Sequence, residues 1–418
     1  MIKLIKIVFE SFNQALQSLL QNKLRSFLSL LGICIGIFCV IGVLSVVDSL
    51  KNNIMTSIDE LGKDVIYVNK FSWTEDPVKD YWKWMKRKEP SINDYQAVKD
   101  KVETAKLVGL NTRIGKKLIK YRSTNVNGVN LACITENSGE LMGLKLEQGR
   151  YFSRKEFATG SQKIILGHDI AKELFGSIPA IGKKIKVGNR KLEVIGVLKK
   201  SGESLIDFFY WDESALVVYN LGKRYVNLKV GHRYGSTIMV KPKEGINNND
   251  LKEDIRITLR KEHRLKPKEK DDFSLNEVSF LTKMFNELFK VLNVAGGIIG
   301  MFALFIGIFS VANIMFVSVK ERTNIIGIKK AIGAKKYVIL IEFLMESILL
   351  CFIGGLLGMG LIYLTLVGIS EIFHFDLFLG LNNIIIGISI SFLTGIIAGV
   401  VPAIRASGLD PVVAIRSK

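Results

Sequence analysis

Residues 27–47 read FLSLLGICIGIFCVIGVLSVV, an apolar run of 21 residues without a charge. Roughly 20 such residues in a helix are enough to cross the hydrocarbon core of a membrane. Three further long apolar runs occupy residues 291–319, 341–368 and 383–404. Four runs of this length argue against buried core helices of a soluble protein. We therefore predict four transmembrane helices in a one-plus-three arrangement, with residues 48–290 between the first and the second.

Among the short segments outside these runs, three carry Lys and Arg, whereas the short loop at 369–382 contains neither. Short loops rich in Lys and Arg stay in the cytoplasm, and long translocated domains largely escape this rule. We therefore predict cytoplasmic termini, a cytoplasmic loop at 320–340, and an extracytoplasmic domain at 48–290. The charges that set this orientation are Lys3, Lys6, Lys23 and Arg25; Lys320, Arg322, Lys329, Lys330, Lys335 and Lys336; and Arg405, Arg416 and Lys418 in the cytoplasmic tail at 405–418.

Two segments outside the spans have their own patterns. Apolar residues recur at helical spacing in residues 1–26, which predicts an amphipathic helix on the cytoplasmic face. The domain at 48–290 mixes strand and helix patterns, which predicts an α/β fold in two lobes. The first lobe combines about 49–130 with about 226–285, and the second is a β-rich insertion at about 131–225.

Several local signals within the outer domain predict individual elements. SINDYQAVKDKV at 91–102 is a helix pattern, capped by Ser91 with Asp94 three residues on. KIILG at 163–167 is a short apolar run, and the helix pattern that follows it closes at Gly176. KKIKVGNRKLEVIGVLKK at 183–200 predicts a hairpin.

The formal net charge of +19 raises the question of nucleic acid as a partner. Most of the surplus lies in residues 48–290, on the predicted outer side, so we expect no nucleic-acid binding. A basic outer domain is either a solvated surface or faces anionic lipid headgroups or acidic partners. Residues 74–90, where Trp82 and Trp84 alternate with lysines, are either a contact for a partner or a headgroup, or an ordered surface loop whose aromatic side chains pack on the domain.

Recognisable catalytic motifs are absent from the sequence. It contains no GxxxxGK[ST] phosphate loop, HExxH, GxSxG or CxxC, and no His/Cys spacing typical of a metal site. We therefore predict no catalytic, cofactor-binding or metal-binding residues and no enzymatic activity. The middles of the spans also lack the ionisable groups that a proton- or ion-coupled carrier needs. Glu342 and Glu346, at the cytoplasmic start of the third span, are either functional or paired with nearby lysines.

Small residues recur every four positions in three of the spans. Such GxxxG pairs let helices approach closely, either within one subunit or between two copies. The glycines concerned are Gly32 and Gly36, Gly354 and Gly358, and Gly395 and Gly399.

The cytoplasmic stretch VKERTNIIGIKKAIGAKK at 319–336 combines a basic composition with an ordered apolar pattern. Ile325, Ile328 and Ile332 recur at helical spacing, so one face can enter a groove on a partner. Gly327 and Gly333 keep parts of that surface small or allow a bend. The residues we predict to contact a partner are Glu321, Arg322, Ile325, Gly327, Ile328, Lys329, Lys330, Ile332 and Gly333.

Several longer motifs resemble a known family. They are NKLRSFLSLLGICIGIFCVIGVLSV (22–46), LGKDVIYV (61–68), GRYFSRKEF (149–157), KIILGHDIAKELFG (163–176), IGKKIKVGNRKLEVIGVLK (181–199), VKERTNIIGIKKAIGAKKYVILIEFLMES (319–347) and LDPVVAIR (409–416). Together with the one-plus-three topology they resemble the MacB-like and FtsX-like permeases of ABC transporters. The family's loop usually has an acidic residue where this chain has Ile326.

The resemblance implies a permease that works as a homodimer, or beside a related permease, docked on a cytoplasmic ABC ATPase. The segment at 320–340 would be the coupling helix. The ATPase would be a separate polypeptide that binds ATP and Mg²⁺, and this chain would bind no cofactor. The movement of the ATPase would pass through the membrane helices to the outer domain. In Gram-negative relatives the outer domain works with a periplasmic adaptor and an outer-membrane exit duct. Membrane lipids complete the expected partners.

Several roles are compatible with this resemblance. Efflux of a drug, peptide or lipid-like substrate is favoured. Lipoprotein release comes second, and cell-division control of wall hydrolases is disfavoured because that branch has a smaller outer domain. A membrane-anchored receptor or scaffold that only binds is the alternative from a different class.

Overall fold

A computed structural model of the chain describes residues 23–62, 64–200, 210–225, 235–373 and 376–416. The amphipathic helix predicted at the N-terminus lies almost wholly outside the described residues. The chain forms two compact units. One comprises Met1–Asn52 with Glu287–Lys418, and the other is Asn53–Asn286.

The helices of the described part are α1 (Lys23–Glu60), α2 (Tyr81–Lys86), α3 (Ile92–Lys101), α4 (Ser138–Leu141), α5 (Arg154–Thr159), α6 (His168–Phe175), α7 (Tyr219–Gly222), α8 (Asn248–Glu262), α9 (Val278–Glu321), α10 (Thr323–Ala331), α11 (Lys336–Phe373), α12 (Leu381–Gly408) and α13 (Pro411–Arg416). The strands are β1 (Ile66–Asn69), β2 (Ala105–Tyr121), β3 (Thr124–Ile134), β4 (Leu146–Gly149), β5 (Lys163–Leu166), β6 (Lys184–Val187), β7 (Arg190–Leu198), β8 (Ser214–Val218), β9 (Ser236–Pro242) and β10 (Ser274–Glu277).

Four helices of the described part are long and apolar enough to cross a membrane: α1, α9, α11 and α12. This confirms the predicted number of spans. Each helix is longer than the apolar run that predicted it. The length of an apolar run reflects the thickness of the hydrocarbon core, whereas the helix can continue beyond it into polar residues. In α1, for example, neither Gly nor Pro follows Asp48 until Gly62, whose φ of +82° an L residue rarely adopts.

The spanning helices share one hydrophobic core. Its fully buried members include Ile37 of α1, Val311 of α9, Phe343 of α11 and Ala398 of α12. Every spanning helix therefore contributes side chains to the same interior.

All three GxxxG pairs lie against other helices of the same chain. A Cβ at Gly36 would lie 3.1 Å from the carbonyl oxygen of Ala303 in α9, and one at Gly358 would lie 2.7 Å from the carbonyl oxygen of Cys34 in α1. Gly395 leaves even less room, because its Cβ would lie 2.6 Å from Cα of Ile348 in α11. Of the remaining three, Gly32 faces α9, Gly354 faces α1 and Gly399 faces α11. The structure thus uses these glycines for packing within one copy.

The outer unit is built on one ten-stranded sheet of the described residues. The strand order is β10-β1-β9-β2-β3-β8-β5-β7-β4, with β6 paired to both β2 and β7. The β3–β8 and β5–β7 pairs are parallel, and the other neighbours are antiparallel. The strands of the predicted first lobe lie at one end of this sheet and those of the predicted insertion at the other, so the two lobes are continuous through β2 and β3.

Local signals in the outer unit are confirmed where the structure describes them. Ser91 and Asp94 form the capping box, with the Ser91 amide donating to Asp94 Oδ2 at 2.7 Å. The short apolar run at 163–167 forms strand β5, and helix α6 follows as predicted and ends at Gly176. The β6–β7 hairpin turns at Gly188, whose φ is +58°.

Candidate functional site

The predicted coupling segment at 320–340 is divided among three helices. Helix α9 extends to Glu321, α10 covers Thr323–Ala331, and α11 begins at Lys336. Gly333 has a φ of +104°, and its amide donates to the Lys330 carbonyl while the Ala334 amide donates to the Lys329 carbonyl. These two hydrogen bonds form a Schellman motif, which ends α10. The prediction of one helix over 320–340 is therefore corrected to a shorter one.

Two ion pairs join the α10 region to α11. Lys329 Nζ lies 2.7 Å from Glu342 Oε1, and Arg322 Nη1 lies 3.3 Å from Glu346 Oε2. Glu346 is buried, so leaving its carboxylate without a cation would cost several kcal/mol, roughly the penalty of an unpaired buried charge. Both carboxylates thus have a structural role as partners of α10.

Lys330 joins α10 to the C-terminal end of α12. Its ammonium donates to the Ser407 carbonyl at 2.8 Å and also to the Leu409 carbonyl. The last carbonyls of a helix lack partners within the helix and carry its partial negative charge. Lys330 supplies both a hydrogen-bond donor for these carbonyls and a positive charge beside the helix end, and it holds the end of the fourth span against α10.

The C-terminal helix α13 packs directly on α10. Asp410 caps it by accepting from the Val412 amide at 2.8 Å, and Pro411 takes the first helical position, which needs no amide donor. A Cβ at Gly327 would lie 2.9 Å from Cβ of Ala414, so glycine is needed for this close approach. We did not predict this contact, although Asp-Pro is a recognisable start signal for a helix.

The face of α10 that α11, α12 and α13 leave uncovered is apolar. Ile325, Ile328 and Ile332 are exposed, and Ile332 has 83% of its surface accessible. Ile326, at the position where the family usually has an acidic residue, is 2% exposed and belongs to the core of the spanning helices. The uncovered face therefore includes the three isoleucines that the spacing predicted, beside the exposed Asn324, and it does not include Ile326.

Helix α13 adds exposed apolar residues of its own. Val412, Val413 and Ile415 are all exposed. Arg322, Lys329 and Lys330, which we predicted as partner contacts, bind groups within the chain, and Glu321 is the last residue of α9. Their contact with a partner stays a prediction. The site is thus an apolar face held rigidly by charged residues around it.

Such an arrangement suits the transmission of a force. A push on the exposed isoleucines reaches α11 through two ion pairs, α12 through Lys330 and α13 through Gly327. Two ion pairs and the hydrogen bonds of Lys330 therefore bind α10 to the ends of α11 and α12, while α13 packs against it at Gly327.

Comparison with known proteins agrees with this architecture. A family model described as the MacB-like periplasmic core domain matches residues 26–257, more than half of the chain. The chain belongs to this MacB-like family. A second model, described as the FtsX-like permease C-terminal domain, matches residues 297–411. That segment of the MacB-like chain contains α10 with the two spans that flank it and the fourth span.

Individual relatives are similar over nearly the whole chain. It is 28% identical over 407 residues to a protein of Neisseria gonorrhoeae named macrolide export ATP-binding/permease protein MacB. It is 32% identical over 419 residues to a protein of the same name from Campylobacter fetus subsp. fetus. The alignments cover 97% of this MacB-like chain but only 60% and 61% of those relatives, so the chain spans about three-fifths of their length. Among solved structures, it resembles the periplasmic region of MacB from Actinobacillus actinomycetemcomitans, with a TM-score of 0.44 and 20% identity, covering 55% of this chain and 95% of that one.

Proposed function

We propose that this chain is the permease subunit of an ATP-driven ABC exporter of the MacB type. The observation that carries the proposal is the exposed face of Ile325, Ile328 and Ile332 on a helix bound to α11, α12 and α13. A cytoplasmic ATPase subunit that inserts this face into a groove gains apolar contact area. Its nucleotide-driven movement then biases the membrane helices between two states.

In this proposal ATP and Mg²⁺ bind to the cytoplasmic ATPase; residues 1–418 contain no phosphate-binding loop with the pattern GxxxxGK[ST]. The permease acts as a homodimer, or beside a related permease, in the bacterial inner membrane. Its termini are cytoplasmic and residues 48–290 are periplasmic. A periplasmic adaptor and an outer-membrane exit duct complete the system, and the exported substrate is a drug, a peptide or a lipid-like molecule.

The test is Ile328→Asp, assayed with the ATPase that co-purifies with the wild-type chain in mild detergent. A carboxylate in the groove must lose its hydration without gaining a partner, so we expect ATP hydrolysis to be uncoupled from transport. Insertion into the membrane should be unchanged. Ile178→Asp, at an exposed isoleucine of the outer unit, is the control and should leave coupling intact.

Two results would overturn the proposal. One is that no ATPase associates with the wild-type chain. The other is that Ile328→Asp transports normally with an unchanged coupling to ATP hydrolysis. If Ile328→Asp abolished membrane insertion instead, the stretch would be a topology signal only.

A further inference from the structure

The outer unit contains a cationic cleft that the proposed function does not use. It has a volume of about 390 Å³ and lies between α2, α8 and the segment that leads into β10. Among the described residues that line it, one is acidic, Asp271, and five are cationic. The cationic residues are Lys83, Arg87, Arg256, Arg260 and Lys270.

Arg87 is the most deeply placed of these cations, with only 9% of its surface exposed. Its Nη1 donates to Ser274 Oγ at 2.6 Å and its Nη2 to Glu75 Oε1 at 2.8 Å, while its buried Nε has no acceptor among the described residues. Burial raises the pKa of Glu75, but hydrogen bonds from Arg87, Lys83 and Trp84 outweigh it and hold that pKa at about 2. A charged Glu75 therefore fixes the guanidinium in place at neutral pH.

Asp271 has the same role on the other wall of the cleft. It accepts from Arg256 Nε at 3.1 Å and from Arg260 Nη1 at 2.5 Å. Arg256 also pairs with Glu253, whereas Lys270 makes no ion pair within the described part of the chain. Three carboxylates thus orient four of the five cations, Lys270 adds a fifth positive charge, and the cleft keeps a surplus of positive charge.

We propose that this cleft binds the phosphate group of an anionic ligand. Fixed guanidinium groups match the geometry of phosphate oxygens, and a lysine adds a point charge that can follow the ligand. The hydroxyls of Ser72 and Ser274, which also line the cleft, supply further donors. Binding at this site requires neither an ATPase partner nor the coupling face on α10.

The phosphate has two possible sources, a free anion or the headgroup of a phospholipid. Helix α2, which carries Lys83, also exposes Tyr81, Trp82 and Met85. At 1.5 Å per residue, its 6 residues extend over about 9 Å, so this apolar surface is within reach of a lipid whose headgroup occupies the cleft. A free phosphate would not contact Trp82. Dependence of binding on Trp82 therefore distinguishes a phospholipid from free phosphate.

The experiment is isothermal titration calorimetry of the full chain in a non-ionic detergent. The probes are inorganic phosphate and short-chain phosphatidylglycerol, with short-chain phosphatidylcholine for comparison. We expect Lys270→Glu to bind the anionic probes roughly tenfold more weakly, the effect of losing about one charge-assisted hydrogen bond. Lys268→Glu, an equally exposed charge reversal two residues away that does not line the cleft, should bind like the wild type.

Arg256→Gln is a second variant, on the opposite wall, and should weaken binding in the same way while the melting temperature reports on its folding. Loss of phosphatidylglycerol binding in Trp82→Ala, with phosphate binding unchanged, would support the proposal with a phospholipid as the ligand. Equal binding by Trp82→Ala and wild type would support it with free phosphate as the ligand. The proposal is overturned if neither anion binds saturably, or if Lys268→Glu and Lys270→Glu lose affinity equally.

Discussion

At the scale of single residues, two glycines of the α10 region have different tasks. Gly327 is needed because Ala414 of α13 leaves no room for a Cβ. Gly333 is needed because its φ of +104° ends the helix, and a Cβ there would meet no neighbour within 4 Å. The spacing of the isoleucines could be read from the sequence. Which of the two glycines packs against another helix and which ends α10 could not, because the packing partner α13 lies far along the chain.

A histidine in the outer unit is placed between two carboxylates. His263 Nε2 lies 2.9 Å from Asp94 Oδ1 and its Nδ1 lies 2.5 Å from Asp272 Oδ1, with Lys88 also 3.3 Å from Asp272. The hydrogen bond with Asp94 raises the pKa of His263, burial opposes it, and Asp272 adds to the rise, so the pKa lies above its usual 6.5. The pKa of Asp94 is lowered, because hydrogen bonds from His263 and Ser91 outweigh its burial.

These shifts predict how stability depends on pH. A raised pKa stabilises the folded state fully below the unfolded value, near 6.5, and this stabilisation is lost as pH rises through the folded value. We therefore expect the melting temperature of the outer unit within the full chain to fall as pH rises above about 6.5. His263→Gln should remove most of that fall, whereas His168→Gln, whose ring pairs with Glu147, should retain it. An unchanged pH profile in His263→Gln would contradict the assignment.

At the scale of elements, α11 and α12 are held in register by small residues. Gly395 accepts a hydrogen bond from Ser347 Oγ at 2.9 Å, and a Cβ there would lie 2.6 Å from the backbone of Ile348. The atoms that this Cβ would meet all belong to the backbone of α11, so no flexible side chain can move aside to make room. The distance between these two spans is therefore set by the absence of a single methyl group.

We expect Gly395→Ala to destabilise the chain by about 1–3 kcal/mol, the usual cost of overpacking. Gly360→Ala is the matched control, because it lies in α11 with nothing within 4 Å of its added Cβ. That change should be neutral or slightly stabilising, since alanine favours a helix. Thermal unfolding of both variants in the same detergent would measure the difference, and equal melting temperatures would show that the contact is relaxed.

The elements themselves were predictable to different degrees. The spans follow from run length alone, because about 20 consecutive apolar residues in a helix match the thickness of the hydrocarbon core. Helix α13 was missed because a helix of 6 residues is too short to show periodicity. The pairing of β1 with β10 was also beyond the sequence, because Ile66 and Glu277 are far apart in the chain and the local pattern of each strand does not specify its neighbour.

At the scale of the whole molecule, the distribution of charge predicts which side of the membrane each region occupies. Lys268 of the outer unit and Lys335, after α10, are separated by the single span in α9. Both are exposed, while the native Cys34, Cys133 and Cys351 are buried and Cys39 is half-buried. Two introduced cysteines can therefore report the orientation with little background.

We expect a membrane-impermeant maleimide to label Lys268→Cys in intact spheroplasts. Lys335→Cys should be labelled only after the membrane is permeabilised, because its loop is basic and short enough to obey the positive-inside rule. The wild-type chain serves as the control for labelling of native cysteines. Labelling of Lys335→Cys but not of Lys268→Cys before permeabilisation would show that the orientation is reversed.

The register between β1 and β10 has a mechanical consequence. Helix α1 ends at Glu60, shortly before β1 begins at Ile66, and α9 begins directly after Glu277, the last residue of β10. Ile66 and Glu277 are paired with each other, so α1 and α9 are connected to the same end of the β1–β10 pair. If the two helices are drawn apart, the strands are unzipped one hydrogen bond at a time. If they move together, the whole ladder is carried along intact, and the tension spreads through β9 into the rest of the sheet.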